Sequence, residues 1–321
     1  MAVYTDVGDE ELAQFVGQYD IGEVISCKGI AEGVENSNYL LRTERATFIL
    51  TLYEKRVDPR DLPFFLALME HLARHGIACP TPVKARDGEA LRQLCGRPAA
   101  IITFLEGLWP RRVRPSHCAG VGESLARLHL AGTDFQMQRP NNLSVAGWRT
   151  LFDACRARAH EVKPGLAEEL GNELDNLEQL WPRDLPTGTI HADLFPDNVF
   201  FRTDRVSGLI DFYFACTDFL VYDVAICLNA WCFENDGDFN VTKARLLLSH
   251  YRTVRPLSAA EFDALPLLAR GSALRFLLTR LYDLINHPAG ALVSPKDPLE
   301  YLRKLRFHRG IARATAYGLD G

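Results

Sequence analysis

The segment Thr189-Ile190-His191-Ala192-Asp193-Leu194-Phe195-Pro196-Asp197-Asn198-Val199-Phe200-Phe201 gathers the side chains of this 321-residue chain that are best suited to chemistry. His191-x-Asp193 is followed five residues on by Asn198, and an apolar run begins there. Thirteen residues beyond Asn198, Leu209-Ile210-Asp211-Phe212 places another carboxylate at the end of a second apolar run. The pattern reads as a two-stranded hairpin with a loop in front: Asp193 and Asn198 on the loop, Asp211 just past the returning strand. Phosphoryl transfer uses this set of groups. Asp193 would orient a hydroxyl and accept its proton. The Asn198 amide oxygen and the Asp211 carboxylate are hard donors for Mg²⁺ bridging nucleotide phosphates. His191 reads as a brace for the loop, bonded to nearby backbone or to Asp211. Asp197 by itself is ordinary turn chemistry, whereas His, Asp, Asn and a later Asp together point to catalysis.

The elements that must position this loop follow from periodicity. Residues 9–18 read as a short amphipathic helix, and 21–26, 38–43 and 47–53 as three strands of an antiparallel meander. Leu62, Phe65, Leu66, Met69 and Leu72 recur at helical spacing over 62–75, with Gly76 as the stop. Strands follow at 91–94 and 97–104. After Glu106-Gly107 the texture changes, and helices are expected at 116–131, 145–159, 165–181, 221–232, 242–251, 259–287 and 298–317. Only 187–211 interrupts them. The result is an α+β chain with a small antiparallel β-sheet lobe and a larger, mainly helical lobe. Pockets favour such a junction. His129, on the helix 116–131, and Trp231 read as core.

Composition narrows the function classes. Apolar residues make up 47% and charged residues 24%, an ordinary globular balance. A net charge of −5 offers no general attraction to nucleic acid or to an anionic membrane, so phosphate charge must be met locally or by a metal. The eight cysteines are scattered without a C-x-x-C pair, which suggests reduced, buried thiols, and no cluster of Cys and His with zinc spacing is read. The first fourteen residues are acidic and polar, unlike a signal peptide, and apolar runs fall short of the roughly 18 residues of a membrane span. A cytoplasmic protein is expected.

His191-x-Asp193-x₄-Asn198 with Ile210-Asp211-Phe212 resembles the aminoglycoside phosphotransferase and choline kinase branch of the protein-kinase-like superfamily. Finer text is similar to the kinase-fold homoserine kinases of bacteria: Ser37-Asn38-Tyr39, the run from Phe48 to Glu54, Ile210 to Cys216, Tyr222-Asp223-Val224-Ala225 and Asn229-Ala230-Trp231-Cys232. The resemblance implies a protein-kinase-like two-lobe fold. Residues 1–105 would form the nucleotide-binding lobe, 103–107 the hinge, and 106–321 the lobe with the catalytic loop and acceptor site. It also implies ATP and Mg²⁺ as cofactors and homoserine as acceptor, feeding threonine synthesis.

The remaining assignments rest on that resemblance. The loop 28–38 lies where a phosphate-covering loop belongs, so Gly33, Ser37 and Asn38 are candidates to offer backbone N–H groups, although alone it reads as a hairpin loop. Thr51 and Phe65 fall where protein kinases carry a lysine and its glutamate partner. Both charges are missing, and Lys55 or Lys28 is left as a possible substitute. At the hinge, Thr103 to Leu105 would pair with adenine between walls from Ile49 and Ile101. Candidates for the zwitterionic acceptor are Asp218, Asn229 and Arg275, with Glu234 and Arg280 behind them, while Asp223 reads as a structural acid. Two rivals remain: a kinase of choline, methylthioribose, a hydroxylated amino acid or an aminoglycoside, and a nucleotide-binding pseudokinase that regulates.

Overall fold

The computed structural model describes residues 5–30, 36–54, 57–287 and 295–319. The chain opens with α1 (Asp9–Val16), then β1 (Val24–Gly29), β2 (Ser37–Thr43) and β3 (Thr47–Leu52). Next come α2 (Leu62–Arg74), β4 (Arg92–Leu94) and β5 (Arg97–Thr103). The five strands form one antiparallel sheet in the order β1-β2-β3-β5-β4, so the expected meander is present. Strand alternation then assigns its two faces. Tyr39, Leu41, Phe48, Leu50 and Ile101 pack under α1 with Leu12, Phe15 and Val16. Asn38, Ile49, Thr51 and Ile102, one residue out of phase, face the other way and line a cavity. The apolar wall is therefore Ile102, and Ile101 belongs to the α1 core.

The helical part runs α3 (Pro115–Ala131), α4 (Val145–Cys155), α5 (Ala159–Val162) and α6 (Leu166–Leu180). A small β insert follows: β6 (Thr187–Ile190), β7 (Val199–Arg202), β8 (Arg205–Leu209) and β9 (Cys216–Phe219). Then come α7 (Leu220–Trp231), α8 (Val241–Val254), α9 (Ala259–Ile285) and α10 (Pro298–Arg309). A Ser258–Glu261 capping box starts α9, and the Asp297 side chain caps α10 by accepting from the Leu299 N–H. Leu residues of α3, α6, α8 and α9 close into one large core with α2. No helix among the described residues is long and apolar enough to cross a membrane.

Four expectations need correction. β1 begins at Val24 rather than at residue 21, because Ile21 turns into the α1 core and Gly22 adopts φ +81°. The expected helix 145–159 breaks after Cys155 and resumes as the short α5. The helix expected over 298–317 ends at Arg309, where Gly310 caps it; a 3₁₀ turn covers Ala314–Tyr317. Strand β9 was not foreseen: its four residues pair antiparallel with β6, a partner remote in sequence that no local pattern announces.

Candidate active site

The loop from Ile190 to Asn198 is braced from behind by buried side chains. Asp223, on α7, accepts from the His191 N–H at 2.7 Å and the Ala192 N–H at 3.0 Å. His129 Nε2 stands 3.2 Å from the same carboxylate, and its Nδ1 lies 2.8 Å from the Tyr251 hydroxyl. Burial favours a neutral Asp223, but the His129 contact, the His rings and the backbone N–H hold its pKa below the ordinary value. Burial also lowers the pKa of His129 and of His191. The His191 ring accepts the Asp193 N–H at Nδ1, so its Nε2–H donates to the Ile210 carbonyl at 3.0 Å. That single ring ties the loop to the strand carrying Asp211. Trp231 donates from its indole to the Leu194 carbonyl at 2.7 Å, a core brace.

Ala192 has φ +62° and Asp211 φ +65°, conformations that cost a residue with a side chain about 1–2 kcal/mol. The surroundings enforce both. At Ala192 the N–H is held by Asp223, and the carbonyl accepts from Arg275 at 2.5 Å. Around Asp211, the Ile210 N–H donates to the Asn198 backbone carbonyl at 3.0 Å, closing the β7–β8 hairpin with Asn198 and Asp211 together at its mouth. The Asn198 amide nitrogen donates to the Asp193 carbonyl at 2.8 Å and to its carboxylate at 3.2 Å. This leaves the amide oxygen as the atom able to bind a metal.

Asp193, Asn198 and Asp211 line one cavity of about 1750 Å³ with Asn38, Ile49, Thr51, Thr103 and Leu105. Gly33 and Lys55 lie outside the described residues. Ser37 is not among the residues that line the cavity, and its hydroxyl donates to Glu54 at 2.7 Å and accepts the Thr5 N–H. Lys28, exposed on β1, is not among the residues that line the cavity. Among the described residues, no cation of the sheet lobe lines it. Thr51 instead donates to Asn38 Oδ1 at 2.8 Å, which leaves the Asn38 amide N–H groups for phosphate. Where an ion pair would join β3 to α2, Tyr53 and Tyr213 meet edge to face at 5.5 Å, and Phe65 packs on Tyr213 at 5.7 Å. Aromatic packing replaces the charges.

Residues 26–257 match the model of the phosphotransferase enzyme family. The chain belongs to that family. Among curated proteins, homoserine kinases of Paramagnetospirillum magneticum and Rhodospirillum rubrum are 65% and 67% identical, each alignment covering all of both chains. That of Bradyrhizobium diazoefficiens is 68% identical over 99% of this chain and 98% of the relative. Among solved structures, amicoumacin kinase hAmiN has a TM-score of 0.69 at 14% identity, covering 94% of this chain and 92% of that one. Choline kinase from Cryptosporidium parvum Iowa II has a TM-score of 0.65 at 15% identity, covering 94% of both. At such identities the likeness concerns the fold, which is the kinase-like two-lobe α+β fold expected.

The other end of this phosphotransferase's cavity departs from the sequence reading. Asp218, Asn229 and Arg275 do not line it. Asp218 is half-buried on β9, where it accepts from Asn141 at 2.7 Å and its partial burial raises its pKa. Asn229 donates to the Ala225 and Ala269 carbonyls inside the helix core. Arg275 is 1% exposed and holds the loop from behind. Glu234 does line the cavity; Arg280 pairs with Glu300 at 2.6 Å. Unforeseen members include Glu300, Arg303 and Lys304, on one face of α10, and the further cations Arg111, Arg112, Lys243 and Lys296. Burial works against the Glu300 charge, yet Lys304, at 2.7 Å, and Arg280 hold its pKa down at about 2. Mixed charge on a half-buried helix face was the available signal, in Glu300-Tyr301-Leu302-Arg303-Lys304.

Proposed function

We propose that the chain uses ATP and Mg²⁺ to phosphorylate the side-chain hydroxyl of L-homoserine, giving O-phospho-L-homoserine for threonine biosynthesis. The observation that carries this reading is the single cavity in which Asp193, Asn198 and Asp211 meet the inner face of the sheet. Full-length likeness to homoserine kinases supports the choice of acceptor. Residues 1–105 would hold the nucleotide, 103–107 the hinge beside adenine, and 106–321 the chemistry and the acceptor. The cytoplasm, which supplies ATP, also suits eight free thiols.

Asp193 accepts the hydroxyl proton as the acceptor oxygen attacks the γ-phosphorus and ADP leaves in line. The Asn198 amide nitrogen keeps that carboxylate aimed, and His191 keeps the loop in place. The Asn198 amide oxygen and the Asp211 carboxylate form an all-oxygen donor set that fits Mg²⁺, which when bound offsets phosphate charge. With no lysine from β3, that neutralisation falls mainly on the metal. The acceptor's ammonium faces Glu300, and its carboxylate faces Arg303 and Lys304.

The test is ADP release, measured by coupled assay, across homoserine, choline, methylthioribose and an aminoglycoside. Homoserine should exceed the others in kcat/KM by at least about 100-fold, because a site built for two charged ends rejects compounds lacking them. Equal turnover of another acceptor would overturn the choice of homoserine. ATP binding without acceptor-dependent turnover would favour a regulatory pseudokinase.

A further inference from the structure

We propose that His71, His75 and Asp134 form a binding site for a divalent transition-metal ion of the zinc type, separate from the phosphoryl-transfer cavity and bridging the two lobes. No zinc-like spacing was read from the sequence, because the third ligand lies 59 residues beyond His75 and only the fold delivers it. His71 lies in the last turn of α2 and His75 is the residue that caps it, so the two stand together at the C-terminal end of the helix. Their rings lie 4.3 Å apart. Asp134 follows the end of α3 and reaches both, Oδ1 at 3.1 Å from His71 Nε2 and Oδ2 at 3.5 Å from His75 Nε2. The three potential ligand atoms all lie within 4.8 Å of one another. Around a tetrahedral zinc ion with bonds of about 2.0–2.1 Å, neighbouring ligand atoms stand about 3.3 Å apart. The contacts of His71 and His75 to Asp134, made to its two different oxygens, are each of that order.

The surroundings also suit a metal. His75 Nδ1–H donates to the His71 carbonyl at 2.9 Å, which fixes the tautomer and leaves the Nε2 lone pair directed at the cluster. The Ala131 carbonyl, at the negative end of α3, lies 2.8 Å from His71 Nε2 and offers a further oxygen. His71 is buried and packs against Phe135 at 5.1 Å, so its ring is held in place, while His75 and Asp134 are open to solvent for ion entry. Without metal, His71 Nε2–H donates to Ala131 and Asp134; a metal bound at Nε2 takes that proton's place, and the neutral ring then carries its proton at Nδ1. Two imidazoles select zinc-type ions over Mg²⁺, so the site does not compete with the oxygen donors Asn198 and Asp211. Because the histidines sit at the C-terminal end of α2 and Asp134 follows α3, an ion here would cross-link the lobes and stabilise the folded chain.

The experiment is calorimetric titration of the full chain with Zn²⁺ after metal removal, alongside Tm, for wild type, His75→Ala and Asp134→Ala. Both substituted side chains are exposed, so the variants should fold without metal, and the shift caused by Zn²⁺ is read against each protein's own metal-free Tm. One ion should bind per chain and raise Tm, and each variant should lose affinity by at least the 10–100-fold that follows loss of a metal's outer-shell partner. Ions held instead by Cys27 or Cys95, the two partly exposed thiols, would bind both variants as well as wild type. Equal binding by all three proteins, or none by wild type, would overturn the proposal and leave a hydrogen-bonded His–Asp latch.

Discussion

Asp193, the proposed proton acceptor, depends on far more than its own side chain. Its backbone N–H is bonded to His191, its carbonyl and carboxylate receive Asn198, and the loop hangs on Asp223 through two further N–H groups. Replacing Asp193 by Asn preserves size and removes the proton acceptor. Turnover should fall by about 10²–10⁴-fold while nucleotide affinity measured by titration stays within about twofold. At the same scale, His308 makes a prediction about stability. Burial, and secondarily Lys304, lowers its pKa from 6.5 to about 3. The unfolded chain therefore binds a proton that the folded chain refuses. The stabilisation is present above pH 6.5 and is lost as pH falls toward 3. Between pH 6.5 and 5 the loss from this residue is about 2 kcal/mol. Chemical denaturation at a series of pH values should show that slope in wild type and a slope shallower by one proton in His308→Gln.

At the scale of elements, helices and strands with a strong local period were legible. The face of β3 is the clearest instance: alternation alone separates Leu50 and Leu52 from Ile49 and Thr51, and the cavity takes the second pair. β9 was not legible, since four residues paired to β6 have no pattern of their own. Close approach of elements was hidden as well. Gly122 on α3 packs against the backbone of α8, where an added methyl would run into the Leu247 carbonyl. Backbone cannot yield as a flexible side chain does, so Gly122→Ala should cost about 1–3 kcal/mol, seen as a lowered Tm. Gly107, at φ +155°, similarly lets the hinge segment lie on Phe200 and Ser207, where a Cβ would collide. Both glycines are conformational necessities that composition cannot distinguish from ordinary turns.

Across the whole molecule, a net charge of −5 offers phosphate no general attraction, and the proposed mechanism meets its charge with a metal. Asp211→Ala should weaken Mg²⁺-dependent nucleotide binding by more than about tenfold, and EDTA should have a similar effect on wild type. Titration of a nucleotide analogue with and without Mg²⁺ checks both. The sequence by itself determined the two-lobe plan and brought Asp193, Asn198 and Asp211 forward as candidates, because each is written in a short segment whose residue types and spacing suit the proposed chemistry. Only the tertiary structure decided what surrounds them. It took Asp218, Asn229 and Arg275 out of the cavity, put Glu300, Arg303 and Lys304 on its wall, and brought Asp134 to His71 and His75. The physical reason is the same each time. A polar side chain on a helix serves as ligand or as brace according to which neighbour covers it, and that neighbour is set by packing between segments far apart in the chain.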